Sequence, residues 1–315
     1  MIITKCPVRV SLAGGGSDLE SYINEHGRGS VINFPINIYT YIALHRDIIG
    51  YNTYCNKYLM NYSKREEASS IEDIKNDVIR VAFEHFNIKP CLISMVGDIF
   101  SSGSGLAVSS SYMIALIKAV EESLGISTSN YEIAKLAMTL ERKFNFLLGY
   151  QDTYGCAVGS LKRMDFKKGK DPKISYLASD LLNTFDMHLM FTGVSRSSTK
   201  ILSTIENFDY SLLELTDKMQ ECLETNNREM FINTIKEGWA VKKGSSPDII
   251  SNYSVKSMDL NLEKDKDVLC HRLCGAGNGG FFLIFTDPQS ELTKKYKFCK
   301  KININHTGVT TVLGN

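Results

Sequence analysis

The chain has 315 residues, with 36 lysines and arginines against 35 aspartates and glutamates, for a formal net charge of +1. This length is enough for two ordinary domains, and the balanced charge predicts neither nucleic acid nor an anionic membrane as a partner. No signal peptide and no apolar run of membrane-spanning length is recognisable, so we expect a cytoplasmic protein. Eight cysteines are scattered without a C-x-x-C pair, which favours buried free thiols over a metal site.

The first predicted element is a strand over residues 8–12, in which apolar side chains alternate with Arg9 and Ser11. Arg9 therefore projects from the face opposite to the core. Three glycines at 14–16 follow and permit close approach of the backbone to a ligand, and Asp18 then lies where a helix would begin. Taken alone, Asp18 would be an N-cap. Strand patterns continue to residue 46, and a helical pattern covers residues 71–86.

A Gly/Ser-rich segment at residues 102–111 comes next and leads into a helix predicted over 109–124. Gly103 and Gly105 permit tight turns, and the serines at 109–111 can cap the helix. Such a loop presents unpaired backbone N–H groups and the positive end of the helix dipole, which suit a nucleotide phosphate. For this segment alone, a turn that merely starts a helix is an equally good interpretation.

The following helix is predicted over residues 131–144, with a capping box at its start and Glu141 near its end. Gln151 and Asp152 follow at a loop-to-helix junction. An acid in this position is often only a cap. The neighbouring segments favour a working carboxylate at Asp152.

The second half of the chain begins after a polar stretch at residues 167–173, and we predict domains 1–179 and 180–315. Strands are predicted at 187–194, 280–285 and 309–313, and helices at Ser211–Glu224 and 231–243. The glycines at 275–280 match the dinucleotide pattern G-x-G-x-x-G. That pattern needs a preceding strand, a following helix and an acidic ribose partner, whereas here a strand follows. The sequence therefore does not favour an NAD site.

Three motifs in this order resemble the GHMP kinases over nearly the whole chain: the Pro-x-Arg strand with its Gly-rich turn and Asp18, the Gly/Ser loop, and the C-terminal glycines. Within that family, the Gly-Gly-Gly-Ser-Asp turn, the Gln151–Asp152 pair, and Thr192–Gly193 with Ser195 and Arg196 are most similar to the heptose 7-phosphate kinase branch. The resemblance implies an α+β fold. Its N-terminal ATP-binding domain is ribosomal-S5-like, its C-terminal domain is ferredoxin-like, and the active site lies between them.

The resemblance also implies ATP and Mg²⁺ as cofactors, and transfer of a phosphoryl group to the anomeric hydroxyl of D-glycero-D-manno-heptose 7-phosphate, for surface polysaccharide synthesis. Asp152 would orient and deprotonate the acceptor, and Arg9 would stabilise charge on the transferred group. The implied ligands of Mg²⁺ are Glu141, Ser109 and Ser110. The implied substrate-binding residues are Gly16, Ser17, Asp18, Gln151 and Arg196, the last for the acceptor's own phosphate, with a structural salt bridge as its alternative role. The implied ATP-binding residues are Ser102, Gly103, Ser104, Gly105, Leu106, Ala107, Ser109 and Ser110.

Two departures from the family pattern lie in the Gly/Ser loop, which reads Gly-Leu-Ala-Val-Ser over residues 105–109 where the family usually has Gly-Leu-Gly-Ser-Ser. Ala107 does not freely adopt positive φ, and Val108 would crowd a phosphate, so we expect weaker nucleotide binding. Asn278 also replaces a glycine, but asparagine tolerates left-handed backbone.

Two alternatives remain open at this point: a kinase for another sugar or sugar phosphate, and a non-catalytic family member that binds a ligand or a partner chain. The presence of all four residues expected of the catalytic and sugar sites favours an enzyme; they are Arg9, Asp18, Glu141 and Asp152. The oligomeric state is not predicted.

Overall fold

The computed structural model describes residues 1–46, 56–99, 103–195 and 211–314. Its strands are β1 (Ile2–Ala13), β2 (Arg28–His45), β3 (Tyr58–Asn61), β4 (Arg65–Ala68), β5 (Leu92–Gly97), β6 (Lys162–Lys167), β7 (Lys173–Tyr176), β8 (Asp186–Phe191), β9 (Val268–Leu273), β10 (Phe281–Thr286), β11 (Cys299–Ile302) and β12 (Thr310–Leu313). Its α-helices are α1 (Glu20–His26), α2 (Asp77–Phe86), α3 (Val108–Leu124), α4 (Asn130–Glu141), α5 (Tyr150–Ala157), α6 (Ser211–Glu224), α7 (Arg228–Ser245), α8 (Tyr253–Lys264) and α9 (Leu292–Lys295). Short 3₁₀ helices cover Leu181–Thr184 and Pro247–Ile250.

Two sheets organise these elements. The larger has eight strands, in the order β12-β1-β2-β5-β3-β4, with β6 beside β2 and β7 beside β6. The smaller is antiparallel, in the order β11-β8-β10-β9. Helices accompany both sheets, and the α+β architecture is confirmed.

The strand β2 is long enough to pair with two partners along one edge. Its first half pairs with β6 and its second half with β5, while β1 lies along the opposite edge. β12 then adds to the free side of β1, with Ile3 opposite Leu313. The domain boundary near Ser179 stays a prediction; the sequence pattern did not indicate that the last strand would join the larger sheet.

The two halves of the chain share a hydrophobic cluster. Val8, Val10 and Leu12 of β1 lie in it together with Leu283 and Phe285 of β10. This confirms the predicted core-facing side of β1 and leaves Arg9 on its other side. A second cluster lies between the larger sheet and the helices α2–α5. The strand that carries Arg9 is therefore packed on both faces.

The ends of four helices differ from the predictions, and α7, predicted over 231–243, spans Arg228–Ser245. α2 begins only at Asp77, because the side chain of Asn76 accepts a hydrogen bond from the Ile79 N–H and caps it there. α3 begins at Val108, one residue early. α4 ends at Glu141 rather than at residue 144, although its start is capped by Ser129 as predicted.

The cysteines in the described ranges are free thiols, and Cys270 and Cys274 are buried, as expected of core residues. Within the same ranges, no helix combines the length and the apolar character that crossing a bilayer requires.

Candidate active site

A cleft of about 880 Å³ opens where the end of β1, the loop before α3 and the start of α5 face α6, α7 and the end of β9. Most of the sequence-predicted site residues line it. They are Arg9, Gly16, Asp18, Gly103, Ser104, Gly105, Ala107, Ser109, Ser110, Glu141, Gln151 and Asp152. Ser17 and Leu106 do not, and Ser102 and Arg196 lie outside the described residues.

Arg9 and Asp152 form an ion pair at the centre of the cleft. Asp152 lies in the first turn of α5, and its Oδ1 accepts hydrogen bonds from Arg9 Nη2 (2.5 Å) and Nε (3.2 Å). Arg9 Nη1 donates to the Gly105 carbonyl at 3.0 Å. Burial is the largest single influence on the pKa of Arg9 and lowers it, but the charge of Asp152, its hydrogen bonds and smaller contributions from Cys156 and Cys274 together raise that pKa above its ordinary value. Because both bonds end on Oδ1, Arg9 does not occupy Oδ2.

Asp18 does not cap the helix that follows it, because α1 begins after Leu19. It binds the start of α5 instead. Its Oδ2 accepts from the Gln151 N–H (3.1 Å), and its Oδ1 accepts from the Gly16 N–H (3.0 Å). The carboxylate passes so close to Gly149 that an added Cβ there would overlap it. Burial, and secondly the charge of Asp152, raises the pKa of Asp18 to about 6. The turn at Gly149 therefore needs a glycine because Asp18 packs against it.

Ser11 completes a hydrogen-bonded chain that the sequence analysis missed. Its hydroxyl donates to Gln151 Oε1 (2.5 Å), and Gln151 Nε2 donates to Asp18 Oδ1 (2.9 Å). The chain fixes which way the Gln151 amide points. The sequence did carry a signal, since Ser11 lies two positions after Arg9 and shares its face of β1.

The position of Ser17 corrects the expectation that this residue binds the substrate. Its side chain is fully buried, its hydroxyl donates to the Ser30 carbonyl (2.8 Å), and it accepts from the Ser30 N–H (3.0 Å). Both hydrogen bonds tie the turn to β2. Ser17 therefore holds the turn in place and has no group to offer a substrate.

The loop before α3 has the conformation expected of a phosphate site. Gly103 and Gly105 have φ of 71° and 74°, the residues at the start of α3 line the cleft, and the first N–H groups of a helix have no intrahelical partners. Leu106 is a correction: its side chain is buried, its N–H donates to Ser104 Oγ, and its carbonyl accepts from the Arg9 N–H. Leu106 anchors the loop and has no backbone group left for a nucleotide.

Ala107 adopts the left-handed conformation that the sequence analysis regarded as unfavourable for it, with φ 60° and ψ 39° at the N-cap of α3. The packing of Val108 argues against the crowding of a phosphate that was expected from the sequence. Its side chain is only 2% exposed and belongs to the shared cluster, so it packs into the core instead of extending into the cleft. The loop departs from the family pattern while keeping the backbone shape that a glycine would give.

We expect opposite effects on stability from substitutions at these two neighbouring positions. Ala107→Gly should raise the free energy of unfolding by about 1 kcal/mol, because relief of the left-handed strain exceeds the added entropy of the unfolded chain. Val108→Ser should lower it by about 2 kcal/mol through lost burial. Urea unfolding of both variants measures this. An unchanged or lower stability of Ala107→Gly would contradict the strain at Ala107.

Glu141 has a fully buried carboxylate, and neither of its oxygens has a hydrogen-bond partner of normal geometry among the described residues. Burial raises its pKa to about 7, while the nearby side chains of Ser110, Ser109 and Asn145 oppose that rise. Two unpartnered buried oxygens beside hydroxyls suit a hard cation such as Mg²⁺. In the described ranges, no group of three or more His, Cys, Asp and Glu side chains forms a metal site, but a Mg²⁺ held largely by nucleotide phosphates does not need one.

The C-terminal glycine motif lies between two antiparallel strands, β9 and β10. The strand before the motif was not predicted, but the absence of a following helix still excludes the dinucleotide fingerprint. Gly280 (φ 89°) passes so close to the Ser104 carbonyl that a Cβ would overlap it, which brings the C-terminal glycines against the phosphate loop. Asn278 adopts φ 56°, as expected for asparagine.

Two cationic residues of the cleft were missed. Arg272, near the end of β9, is 8% exposed and donates from Nη1 to the Leu12 carbonyl. Lys242 of α7 donates to the carbonyls of Leu273 (2.9 Å) and Gly275. The position of Arg272, three residues before the glycine motif, was a usable signal in the sequence.

Comparisons with known proteins show what the chain as a whole is similar to. The family described as GHMP kinases N terminal domain matches residues 73–160. The D-glycero-alpha-D-manno-heptose 7-phosphate kinase of Campylobacter jejuni is 29% identical over 331 aligned positions, which cover 96% of this chain and 93% of that protein.

Two solved structures have the same fold. A D-glycero-D-manno-heptose 1-phosphate kinase from Bacteroides thetaiotaomicron has a TM-score of 0.76 at 20% identity, with 100% of both chains covered. Streptococcus pneumoniae phosphomevalonate kinase, in complex with phosphomevalonate and AMPPNP, also has a TM-score of 0.76, at 16% identity over 96% of this chain and 100% of that chain.

Proposed function

The chain belongs to the GHMP kinase family, and on that basis we propose that it transfers a phosphoryl group from ATP to the anomeric hydroxyl of D-glycero-D-manno-heptose 7-phosphate. The product would supply nucleotide-activated heptose for a surface polysaccharide. The cytoplasmic location expected from the sequence belongs to the same proposal, because ATP is the donor.

The observation that carries the proposal is the Arg9–Asp152 pair beside the phosphate loop. Asp152 Oδ2 would accept the proton of the anomeric hydroxyl while that oxygen attacks the γ-phosphorus. A new O–P bond forms, the bond from the γ-phosphorus to the β–γ bridging oxygen breaks, and ADP leaves with that electron pair. Arg9 stabilises the charge that develops on the transferred group.

The remaining residues would bind and orient. The backbone N–H groups at the start of α3 would hold the phosphates, and Glu141 with Ser109 or Ser110 would hold Mg²⁺. When bound, Mg²⁺ neutralises charge on the β- and γ-phosphates. Phosphoryl transfer requires this neutralisation, and the unpartnered oxygens of Glu141 support its assignment.

Contacts to the sugar would come from Gln151, whose side chain borders the cleft, with Asp18 acting through it. Both oxygens of Asp18 already accept hydrogen bonds from the protein, and Asp18 is 1% exposed. We therefore infer that Asp18 positions Gln151 and α5 without binding the sugar itself. The role of Arg196 at the acceptor's own phosphate stays a prediction.

The test is ADP release with a panel of acceptors: D-glycero-D-manno-heptose 7-phosphate, mannose 6-phosphate, free mannose, galactose, fucose and mevalonate. We expect kcat/KM to be highest for the heptose 7-phosphate, and roughly tenfold to a hundredfold lower for unphosphorylated sugars, because one charged hydrogen bond contributes about 1.5–3 kcal/mol. Preference for an unphosphorylated sugar would indicate another sugar kinase. Absence of ADP release with every acceptor would contradict kinase activity on these acceptors.

A further inference from the structure

Arg272 is a buried cation whose charge no described carboxylate balances. Arg272 is 8% exposed and lines the cleft, and among the described residues it makes one hydrogen bond, from Nη1 to the Leu12 carbonyl. The other buried arginine among the described residues, Arg9, is paired with Asp152. A buried charge without a counter-charge is unfavourable, so a bound anion would stabilise the guanidinium of Arg272.

The surroundings of Arg272 add positive charge to this part of the cleft. Burial lowers its pKa, and the nearby charge of Arg9 lowers it further. Arg9 contacts the Gly105 carbonyl of the phosphate loop, whereas Arg272 contacts the Leu12 carbonyl ahead of the Gly-rich turn. Both guanidiniums therefore border the same cleft, between the phosphate loop and the Gly-rich turn. A multiply charged anion bound between the two guanidiniums would offset their mutual repulsion.

We propose that Arg272 binds the non-bridging oxygens of the phosphoryl group in transit from ATP to the acceptor, as a second guanidinium beside Arg9. The inference rests on the proposed ATP-dependent reaction. Arg272 makes and breaks no covalent bond and moves no proton. Its part is to stabilise negative charge, which in phosphoryl transfer is spread over three equatorial oxygens and suits a guanidinium fork.

The experiment compares binding of AMPPNP and ADP, each with Mg²⁺, by calorimetry in the wild-type protein and in Arg272→Gln. AMPPNP carries the γ-phosphoryl group and ADP does not. We expect Arg272→Gln to lower the affinity for AMPPNP at least about tenfold, which corresponds to the loss of one charged hydrogen bond. The affinity for ADP should change less than about threefold. Turnover should fall by about a hundredfold or more, because the contact strengthens in the transition state.

Arg163→Gln is the matched control. Arg163 of β6 also joins the two halves of the chain, through Asp217 and Gln220 of α6, but it does not line the cleft. If Arg272 only connected the two halves of the chain, Arg272→Gln and Arg163→Gln would have similar effects on the affinities for AMPPNP and ADP. We expect Arg163→Gln to change both nucleotide affinities by less than about twofold.

Two results with Arg272→Gln would overturn the inference. Equal weakening of AMPPNP and ADP would mean that Arg272 only supports the fold, and a raised KM for the acceptor with unchanged AMPPNP binding would assign it to the acceptor's own phosphate. If Arg272→Gln does not fold, Arg272→Lys decides, because it keeps the charge but loses the fork: an unchanged ratio of the two affinities would overturn the inference. The titrations contain no acceptor, so preference for another sugar would refute the proposed acceptor and leave this result standing.

Discussion

Asp152→Asn should lose about three orders of magnitude in kcat while its affinity for AMPPNP stays within about threefold of wild type. The amide keeps the shape of the carboxylate but cannot accept the acceptor's proton, and it removes the charge opposite Arg9. Single-turnover phosphate transfer and calorimetry measure the two quantities.

Asp171→Asn is a suitable control for this variant, because Asp171 is an exposed aspartate whose partner is Lys135 on the protein surface. Its kcat should be unchanged. Turnover of Asp152→Asn within tenfold of wild type would refute the role of Asp152 as the base.

Glu141→Gln should stabilise the protein in the absence of metal and nucleotide, and only at neutral to alkaline pH. Burial raises the pKa of Glu141 to about 7 in the folded protein, from 4.5 for an ordinary glutamate. Between these two pH values the unfolded chain has released a proton that the folded protein retains, so stability falls as pH rises from about 4.5 to 7 and stays low above it. Glutamine does not titrate. The free energy of unfolding of the variant should therefore exceed that of the wild type by on the order of 3 kcal/mol at pH 8, and by nearly nothing at pH 4.5.

Urea unfolding in EDTA at the two pH values tests this, with Glu84→Gln, an exposed glutamate near Arg80, as the control without a pH-dependent difference. The same Glu141→Gln variant should lose most of the Mg²⁺-dependent turnover, because an amide is a weaker ligand for Mg²⁺ than a carboxylate. Equal free energies of unfolding of wild type and variant at pH 8 would mean that burial of the ionised Glu141 carboxylate does not destabilise the protein.

The sequence predicted those parts of the site that depend on local pattern. Alternation in β1 placed Arg9 opposite the core-facing side chains, and the loop-to-helix junction placed Asp152 in the first turn of α5. The structure brings these two side chains together. The phosphate loop was recognisable because its glycines and serines precede a helix.

The parts that were missed depend on contacts between distant segments. Asp18 looks like a cap for the helix that follows it, whereas it caps the start of α5, more than 130 positions along the chain. Arg272 looks like a core residue until β9 is placed beside the end of β1. The left-handed conformation of Ala107 does not follow from the residue itself, because the local preference of alanine opposes it; only the glycine that the family usually has at this position pointed to it.

The pairing of β1 with β12 has a consequence for how the protein reaches its native state. Ile3 lies opposite Leu313, so this edge of the sheet closes a loop of about 300 residues, among the least local contacts that the chain can make. Until that contact forms, the outer edge of β1 presents unpaired N–H and C=O groups to any neighbouring strand. Partly folded molecules would therefore expose the strand that carries Arg9 as a template for self-association. Dilution or a saturating nucleotide should improve the yield of active protein on refolding.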